Sequence, residues 1–226
     1  MINKILVSIK HATIGILVLA IAFMAIEPAV SFGANALSQF TISQTVTTQI
    51  AFATPASNVV MSPTLGGLTG GTSTGATVVA VTSNDALGYN MTIQASTSLG
   101  MQGTASTTNY IPAYTSAVNG VPDYTFTAPA NTARFGYNVT AASTTDVATL
   151  FKNNGSVCNT GTLTSTSNCW LAATTSAVTI INRNLPTPYT GATTTISFQL
   201  AIEPNPSPVI PNDTYVATTT LTATAN

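Results

Sequence analysis

The stretch TISFQLAI, residues 195–202, alternates apolar and polar side chains and predicts a β-strand with one buried face. The same period of two recurs in residues 40–52 and 88–96. It is weaker in five further runs: residues 76–81, 124–128, 135–141, 177–181 and 215–225. Threonine and valine are frequent in these runs, and branching at Cβ favours strands. Turn-forming Gly, Pro and Asn separate the runs, so we predict an all-β fold, an antiparallel sandwich of the Ig-like or jelly-roll type.

One segment has a helical spacing instead. Asp146 lies near the start of residues 145–153, where a negative charge favours a helix. Val147, Leu150 and Phe151 follow as one apolar face, and Asn154-Gly155 supplies a left-handed stop. We therefore predict one short helix over residues 145–153. Long loops are expected at residues 62–75, 96–122 and 203–213, where glycine, polar residues or proline accumulate.

The N-terminus has the pattern of a secretion signal. Lys4, Lys10 and His11 precede the apolar run at residues 12–26, which is shorter than the roughly 20 residues that a membrane-spanning helix needs. Ala34 and Ala36 are the small residues that a signal peptidase reads, so we predict a signal-peptide helix and cleavage after Ala36. The alternative is an uncleaved segment that anchors the chain, and we expect membrane contact only in that case. The predicted organisation is a signal peptide, residues 1–36, and one sandwich domain, residues 37–226.

Ionisable residues are scarce after the signal. Charged residues are 5% of the chain, against about 25% in ordinary soluble domains. Past residue 36 there is no histidine, and the basic residues are Arg134, Lys152 and Arg183. Without clustered basic residues the chain is not expected to bind nucleic acid. Without a histidine it lacks the usual general base of a hydrolase triad. We predict no enzymatic activity, no cofactor and no metal.

Paired carboxylates are the one enzymatic alternative. A glycosidase needs two of them across a cleft. The acidic residues past the signal are Asp85, Asp123, Asp146, Glu203 and Asp213. Each lies beside turn or cap residues, where a carboxylate commonly accepts backbone hydrogen bonds, and that interpretation is favoured.

Cys158 and Cys169 are the only cysteines. An even number after a secretion signal predicts a disulfide bond formed in an oxidising compartment. The residues between them are mostly turn formers, which allow the chain to close on itself. We therefore predict a secreted protein with a Cys158–Cys169 disulfide.

Three tyrosines fall in loops that are polar or contain proline: Tyr110, Tyr114 and Tyr189. Aromatic rings displayed on loops can stack against sugars or partner proteins. They can also pack down over the ends of the sandwich, and the sequence favours that alternative. The three residues are the candidate binding surface of the chain.

The order of these features resembles the WxL-type cell-surface proteins of Gram-positive bacteria. Gly88-Tyr89-Asn90-Met91 corresponds to that family's Gly-Trp-x-Leu element, with tyrosine and methionine in place of tryptophan and leucine. Asp213-Thr214-Tyr215, followed by residues 216–226, resembles the turn and closing strand of the family. The resemblance covers about a third of the exported chain. It implies a β-sandwich attached non-covalently to peptidoglycan.

The sequence indicates two alternative functions. The first is a non-enzymatic bacterial cell-surface structural protein that associates with an envelope polymer or with copies of itself. The sequence leaves the choice between these partners open; self-assembly is plausible because the strand predicted at residues 40–52 follows a newly cut end and suits pairing with another subunit's open sheet edge. The second is a monomeric adhesin or carbohydrate-binding module that uses loops 96–122 and 155–170.

Overall fold

A computed structural model of the chain describes residues 38–226. Within them, ten strands and two short 3-10 turns form, and no α-helix does. The strands are β1 (Ile50–Thr54), β2 (Gly71–Ser83), β3 (Tyr89–Ala95), β4 (Met101–Gly103), β5 (Tyr110–Ile111), β6 (Ala133–Ala141), β7 (Val178–Arg183), β8 (Ala192–Ile202), β9 (Tyr215–Val216) and β10 (Thr219–Ala225). The turns are Thr144–Asp146 and Thr149–Phe151. No helix in residues 38–226 is long and apolar enough to cross a membrane.

TISFQLAI lies in β8, an inner strand of a four-stranded sheet with the order β1-β2-β8-β6. β8 pairs antiparallel with β2 from Ile202 to Ala192 and with β6 from Ile202 to Thr194. The apolar face expected from the alternation is buried: Ile196, Phe198, Leu200 and Ile202. Two full ladders and one buried face make β8 the centre of the fold.

A second antiparallel sheet, β10-β3-β7, faces the first and completes the core. It contributes Tyr89, Met91 and Ile93 from β3 and Ile180 and Ile181 from β7. Burying one such side chain stabilises the fold by about 1.5–3 kcal/mol. A small third sheet, β5-β4-β9, joins the loop after β3 to the segment before β10. The predicted all-β antiparallel sandwich is confirmed.

The predicted helix at residues 145–153 is wrong. Two 3-10 turns stand there, separated by Val147 and Ala148 in extended conformation. Val147 bridges to Ile181, and the N–H of Ala148 donates to the carbonyl of Ile180 at 3.0 Å. The Ala148 N–H therefore bonds to the edge of β7 and not to a carbonyl within a helix. Val147 and Phe151 are still buried, so the apolar spacing was a core signal and not a helical one.

One further strand prediction is wrong in part, and another is wrong entirely. In residues 40–52 only the last three belong to β1, and residues 38–49 are in no regular element. Residues 124–128 form no strand, because Phe126 packs its ring on Tyr114 and Trp170 outside the main core. The glycine-rich loop predicted at residues 62–75 ends earlier than expected, since β2 begins at Gly71.

Residues 46–226 form one compact unit. The predicted signal peptide, with Ala34 and Ala36 at its cleavage site, lies outside the described residues. The predicted boundary of the sandwich domain at residue 37 stays a prediction.

Two buried tyrosines make the core sensitive to alkaline pH. Tyr89 and Tyr137 are fully buried, and neither hydroxyl has a hydrogen-bond partner within residues 38–226. Burial, with a smaller contribution from the negative charge of Asp146, raises the pKa of Tyr89 to about 12. Burial also raises the pKa of Tyr137. The folded state thus disfavours both ionised phenolates.

We therefore expect the free energy of unfolding to fall as the pH rises from 10 to 12. Below pH 10 both states keep the phenol protonated, whereas above it the unfolded chain loses protons that folded Tyr89 retains. Urea unfolding at pH 9, 10, 11 and 12 measures this fall. The free energy of unfolding of Tyr89→Phe should decrease less over the same pH range. An equal decrease would show that groups other than Tyr89 cause the pH dependence.

Candidate functional site

The disulfide predicted from the sequence is present. Cys158 and Cys169 are bonded, with their Cα atoms 5.6 Å apart, and both residues are buried. The bond fixes the loop that follows the 3-10 turns. Trp170, next to Cys169, exchanges two backbone hydrogen bonds with Asp123 at 2.8 and 3.0 Å. The disulfide thus holds loop 155–170 against the end of loop 96–122.

Removing the disulfide should destabilise the protein without changing its sheets. The half-cystines are 11 residues apart, and closing a loop of this size stabilises a fold by about 3 kcal/mol in the chain-entropy model. We expect Cys158→Ser with Cys169→Ser to lose about that much in denaturant unfolding while keeping the β-sheet circular dichroism. A stability within 0.5 kcal/mol of the wild type, roughly the scatter of neutral surface changes, would contradict this.

The three candidate tyrosines do not lie on one surface. Tyr114 is 4% exposed, and its hydroxyl donates to a carboxylate oxygen of Asp123 at 2.9 Å while its ring packs on Phe126. Tyr110, 46% exposed, lies near the end of β8 at Ile202, and Tyr189, 94% exposed, lies just before its start. β8 has 11 residues and so is about 35 Å long, which keeps the two exposed rings far apart.

In the loops, carboxylates accept hydrogen bonds from backbone N–H groups. Asp213 accepts hydrogen bonds from the N–H groups of Ala105 at 3.0 Å and Thr214 at 2.7 Å. The bond from Ala105, the largest effect, keeps the pKa of the Asp213 carboxyl below its usual range. Asp146 pairs with Arg183 in the interior. No group of three His, Cys, Asp or Glu side chains in residues 38–226 is close enough to hold a metal ion.

One side of the sandwich is covered by loops. The outer edge of β6 carries bridges from Ala113 to Phe135 and from Leu171 to Tyr137. The outer edge of β7 carries the bridge from Val147, and the first 3-10 turn contacts both β6 and β7. Main-chain groups on these two edges therefore have local partners, which is how natural proteins blunt sheet edges.

The opposite side of the sandwich is open. There β1 and β10, each the edge strand of its sheet, approach one another. The N–H of Ser96 donates to the carbonyl of Thr218 at 2.9 Å, and the N–H of Asn226 donates to the carbonyl of Gly88. Even-numbered residues of β10 therefore turn their main-chain groups toward β3, because direction alternates along a strand. The odd-numbered residues turn theirs outward: Thr219, Leu221, Ala223 and Ala225.

That outer edge is free along its whole length. Within residues 38–226, no backbone hydrogen bond reaches the outward N–H and C=O groups of Thr219–Ala225. The side chains of the strand are also poorly covered. Leu221 and Ala223 face the interior yet are only half-buried, and Thr220, Thr222 and Thr224 are exposed. β10 is thus a seven-residue edge with one apolar face that is half covered.

An apolar groove of about 580 Å³ opens beside this edge. Ile196, Phe198 and Phe135 of the four-stranded sheet line it, together with Phe52 of β1 and Leu221 of β10. The remaining lining comes from Pro55–Val59, Met61, Thr77, Met101 and Tyr215–Thr220, and no lining side chain is charged. β1 ends at Thr54, and the residues that follow it, Pro55–Val59, line the groove. The arrangement is suited to binding an extended apolar segment.

Sequence reasoning missed the groove and the identity of the open edge. The alternation of Leu221 and Ala223 with threonine was visible and gave the strand correctly. The alternation within one strand does not show which strands lie beside it. The sequence therefore gave no indication of whether an edge of β10 is free or paired with another strand. The chain matches no protein-family model, and no curated protein matches it.

Proposed function

We propose that this chain is an exported, non-enzymatic cell-surface structural protein that assembles with copies of itself on the bacterial envelope. The observation that carries the proposal is the open side: a free seven-residue strand edge beside an uncharged groove of about 580 Å³. Such an edge is a ready template for pairing with another chain. The opposite side of the same sandwich is covered by loops, so the opening is confined to one place.

The charge of the chain supports lasting association. Charged residues are 5% of the sequence, and the formal net charge is −1. A surface with so little charge opposes the approach of a like subunit only weakly. The disulfide supports an oxidising location outside the cytoplasm. After export, many copies would accumulate at the cell surface. Because they carry little charge, these copies would repel one another only weakly.

A second candidate function is a monomeric adhesin or carbohydrate-binding module. A pocket of about 250 Å³ lined by Tyr110, Asn109, Arg134 and Ser207 favours it. The Nε of Arg134 is buried there with no hydrogen-bond partner in the described part of the chain. An exposed tyrosine beside an arginine can stack on and hydrogen-bond a sugar. The WxL resemblance also fits attachment to a wall polymer.

Sedimentation velocity of the exported protein over a range of concentrations, with and without cell-wall fragments, separates the two. Self-assembly predicts species larger than a monomer that grow with protein concentration and need no wall fragments. The second candidate predicts a monomer at every concentration that co-sediments with wall fragments, and a weaker co-sedimentation for Tyr110→Ala. A monomer that binds no wall fragment would contradict both.

A further inference from the structure

Residues 40–46 carry a second strand-like pattern that has no strand in this structure. Phe40, Ile42 and Val46 share one face of the alternation and are 81%, 85% and 80% exposed, and Gln44 completes that face. Thr41, Ser43 and Thr45 form the other face. Leaving three large apolar side chains in water forgoes about 1.5–3 kcal/mol for each. Residues 40–46 are therefore the part of the described chain whose sequence most requires a partner.

We infer that the free edge of β10 and the groove beside it accept residues 40–46 of a second copy of this chain as an added β-strand; the inference rests on the proposed self-assembly and names its contact. The segment has as many residues as β10, so it can satisfy the whole outward edge of Thr219–Ala225. Main-chain hydrogen bonds supply affinity in this mode of recognition, and alternate side chains supply specificity.

The side chains match as well as the main chain. A strand added to β10 continues the sheet, so the apolar face of the segment lies over the groove, against Leu221 and Phe198. Its hydroxyl face then continues the exposed row of Thr220, Thr222 and Thr224. Neither the segment nor the groove lining has a charged side chain, so docking buries no unpaired charge.

The residues that follow the segment are held by hydrogen bonds. The N–H of Gln49 donates to the side-chain oxygen of Asn84 at 2.7 Å, and the Asn84 side-chain amide donates to the carbonyl of Thr47 at 3.0 Å. The N–H of Asn84 also donates to the carbonyl of Gln49 at 3.2 Å. These bonds continue the β1–β2 pairing to residues 47–49, whereas residues 40–46 are in no strand. A second copy is the partner that the proposed self-assembly supplies for this segment.

The contact is tested by cross-linking between two proteins that each carry one added cysteine besides the native Cys158–Cys169 disulfide. Ser43→Cys lies at the middle of the segment, on its hydroxyl face, and Thr222→Cys lies at the middle of β10, on the exposed face. Mixing the two exported proteins with a short bis-maleimide is expected to join residue 43 of one to residue 222 of the other, as read by peptide mass spectrometry. Thr179→Cys, exposed on β7 at the opposite edge of the same sheet, is the matched control. It lies about three strand spacings, roughly 14 Å, from a docked residue 43, and is expected to stay unlinked by a linker shorter than that.

Ala223→Pro tests the edge itself. The N–H of Ala223 points away from β3, so proline removes an outward donor and leaves the β3 ladder intact. We expect a folded protein whose association is at least about tenfold weaker, the loss of roughly one hydrogen bond or more. Ala223→Ser keeps the N–H and should assemble like the wild type.

The outcomes separate the contact from the function. Suppose that the wild type assembles, but residue 43 either links to residue 179 as well as to residue 222 or does not link to residue 222. Assembly then uses another surface, and only the inference about the contact is overturned. Unchanged assembly of folded Ala223→Pro would overturn it in the same way. If the wild type never assembles, the proposed function itself is contradicted.

Discussion

Protein carrying Phe40→Ser and Ile42→Ser is expected to remain a folded monomer at concentrations where the wild type is expected to assemble. Burying two such side chains at a contact contributes about 3–6 kcal/mol, so their loss should weaken association by a factor of about 10² to 10⁴. Neither residue belongs to a strand, and residues 46–226 form a compact unit without them. Thermal unfolding should therefore be unchanged. Sedimentation velocity measures the association.

The matched control changes the other face of the same segment. Thr41→Ala with Ser43→Ala alters as many side chains and keeps Phe40 and Ile42. This variant should assemble like the wild type, because the hydroxyl face stays in water after docking. Equal loss of assembly in both variants would show that the segment contributes something other than its apolar face.

Asp146→Ala is expected to lower the free energy of unfolding by about 3–5 kcal/mol. The side chains of Asp146 and Arg183 are 6% and 10% exposed, and they form an ion pair in the interior. The guanidinium also donates to the carbonyls of Leu185 at 3.0 Å and Pro186 at 2.8 Å, so it stays buried when its counter-charge is removed. An uncompensated buried charge costs far more than the pair itself contributes. The loss is a large part of the 5–15 kcal/mol typical of a folded domain.

The double variant Asp146→Ala with Arg183→Met is the control for this explanation. Replacing both charges leaves no unpaired ion, so it should be more stable than Asp146→Ala alone. Urea unfolding of the wild type, Asp146→Ala, Arg183→Met and the double variant gives the coupling energy. A single variant within 1 kcal/mol of the wild type would show that solvent reaches the pair.

The sequence predicts the core of this fold well because each central strand buries one face. Apolar side chains therefore occur at every second position along it. Ile196 and Phe198 in β8, and Tyr89 and Met91 in β3, alternate with polar residues and lie on buried faces. The helix prediction failed at Val147, where the apolar spacing was real but the backbone hydrogen bonds go to the edge of β7. Side-chain spacing indicates which residues are buried. It does not indicate where the backbone donors bind.

The candidate site was much less predictable. The disulfide followed from two cysteines and a secretion signal, because only one pairing exists. The open side of the sandwich depends on strand order, and strand order is a long-range property: β10 pairs with β3, 124 or more residues earlier in the chain. Tyr114 shows the same limit. It is buried, as the sequence favoured, but its contacts with Asp123 and Phe126 come from the folded loops and could not be predicted.

Electron microscopy of the purified protein shows whether copies of the chain join into a polymer. If copies join by inserting residues 40–46 beside β10, each subunit donates one strand and accepts another. Such a head-to-tail contact leaves a free segment at one end of the assembly and a free edge at the other, so it can repeat. Filaments or sheets are therefore expected in wild-type protein, and single particles in the Phe40→Ser, Ile42→Ser variant. Wild-type protein that shows only single particles at every concentration, with its sandwich intact, would contradict this expectation.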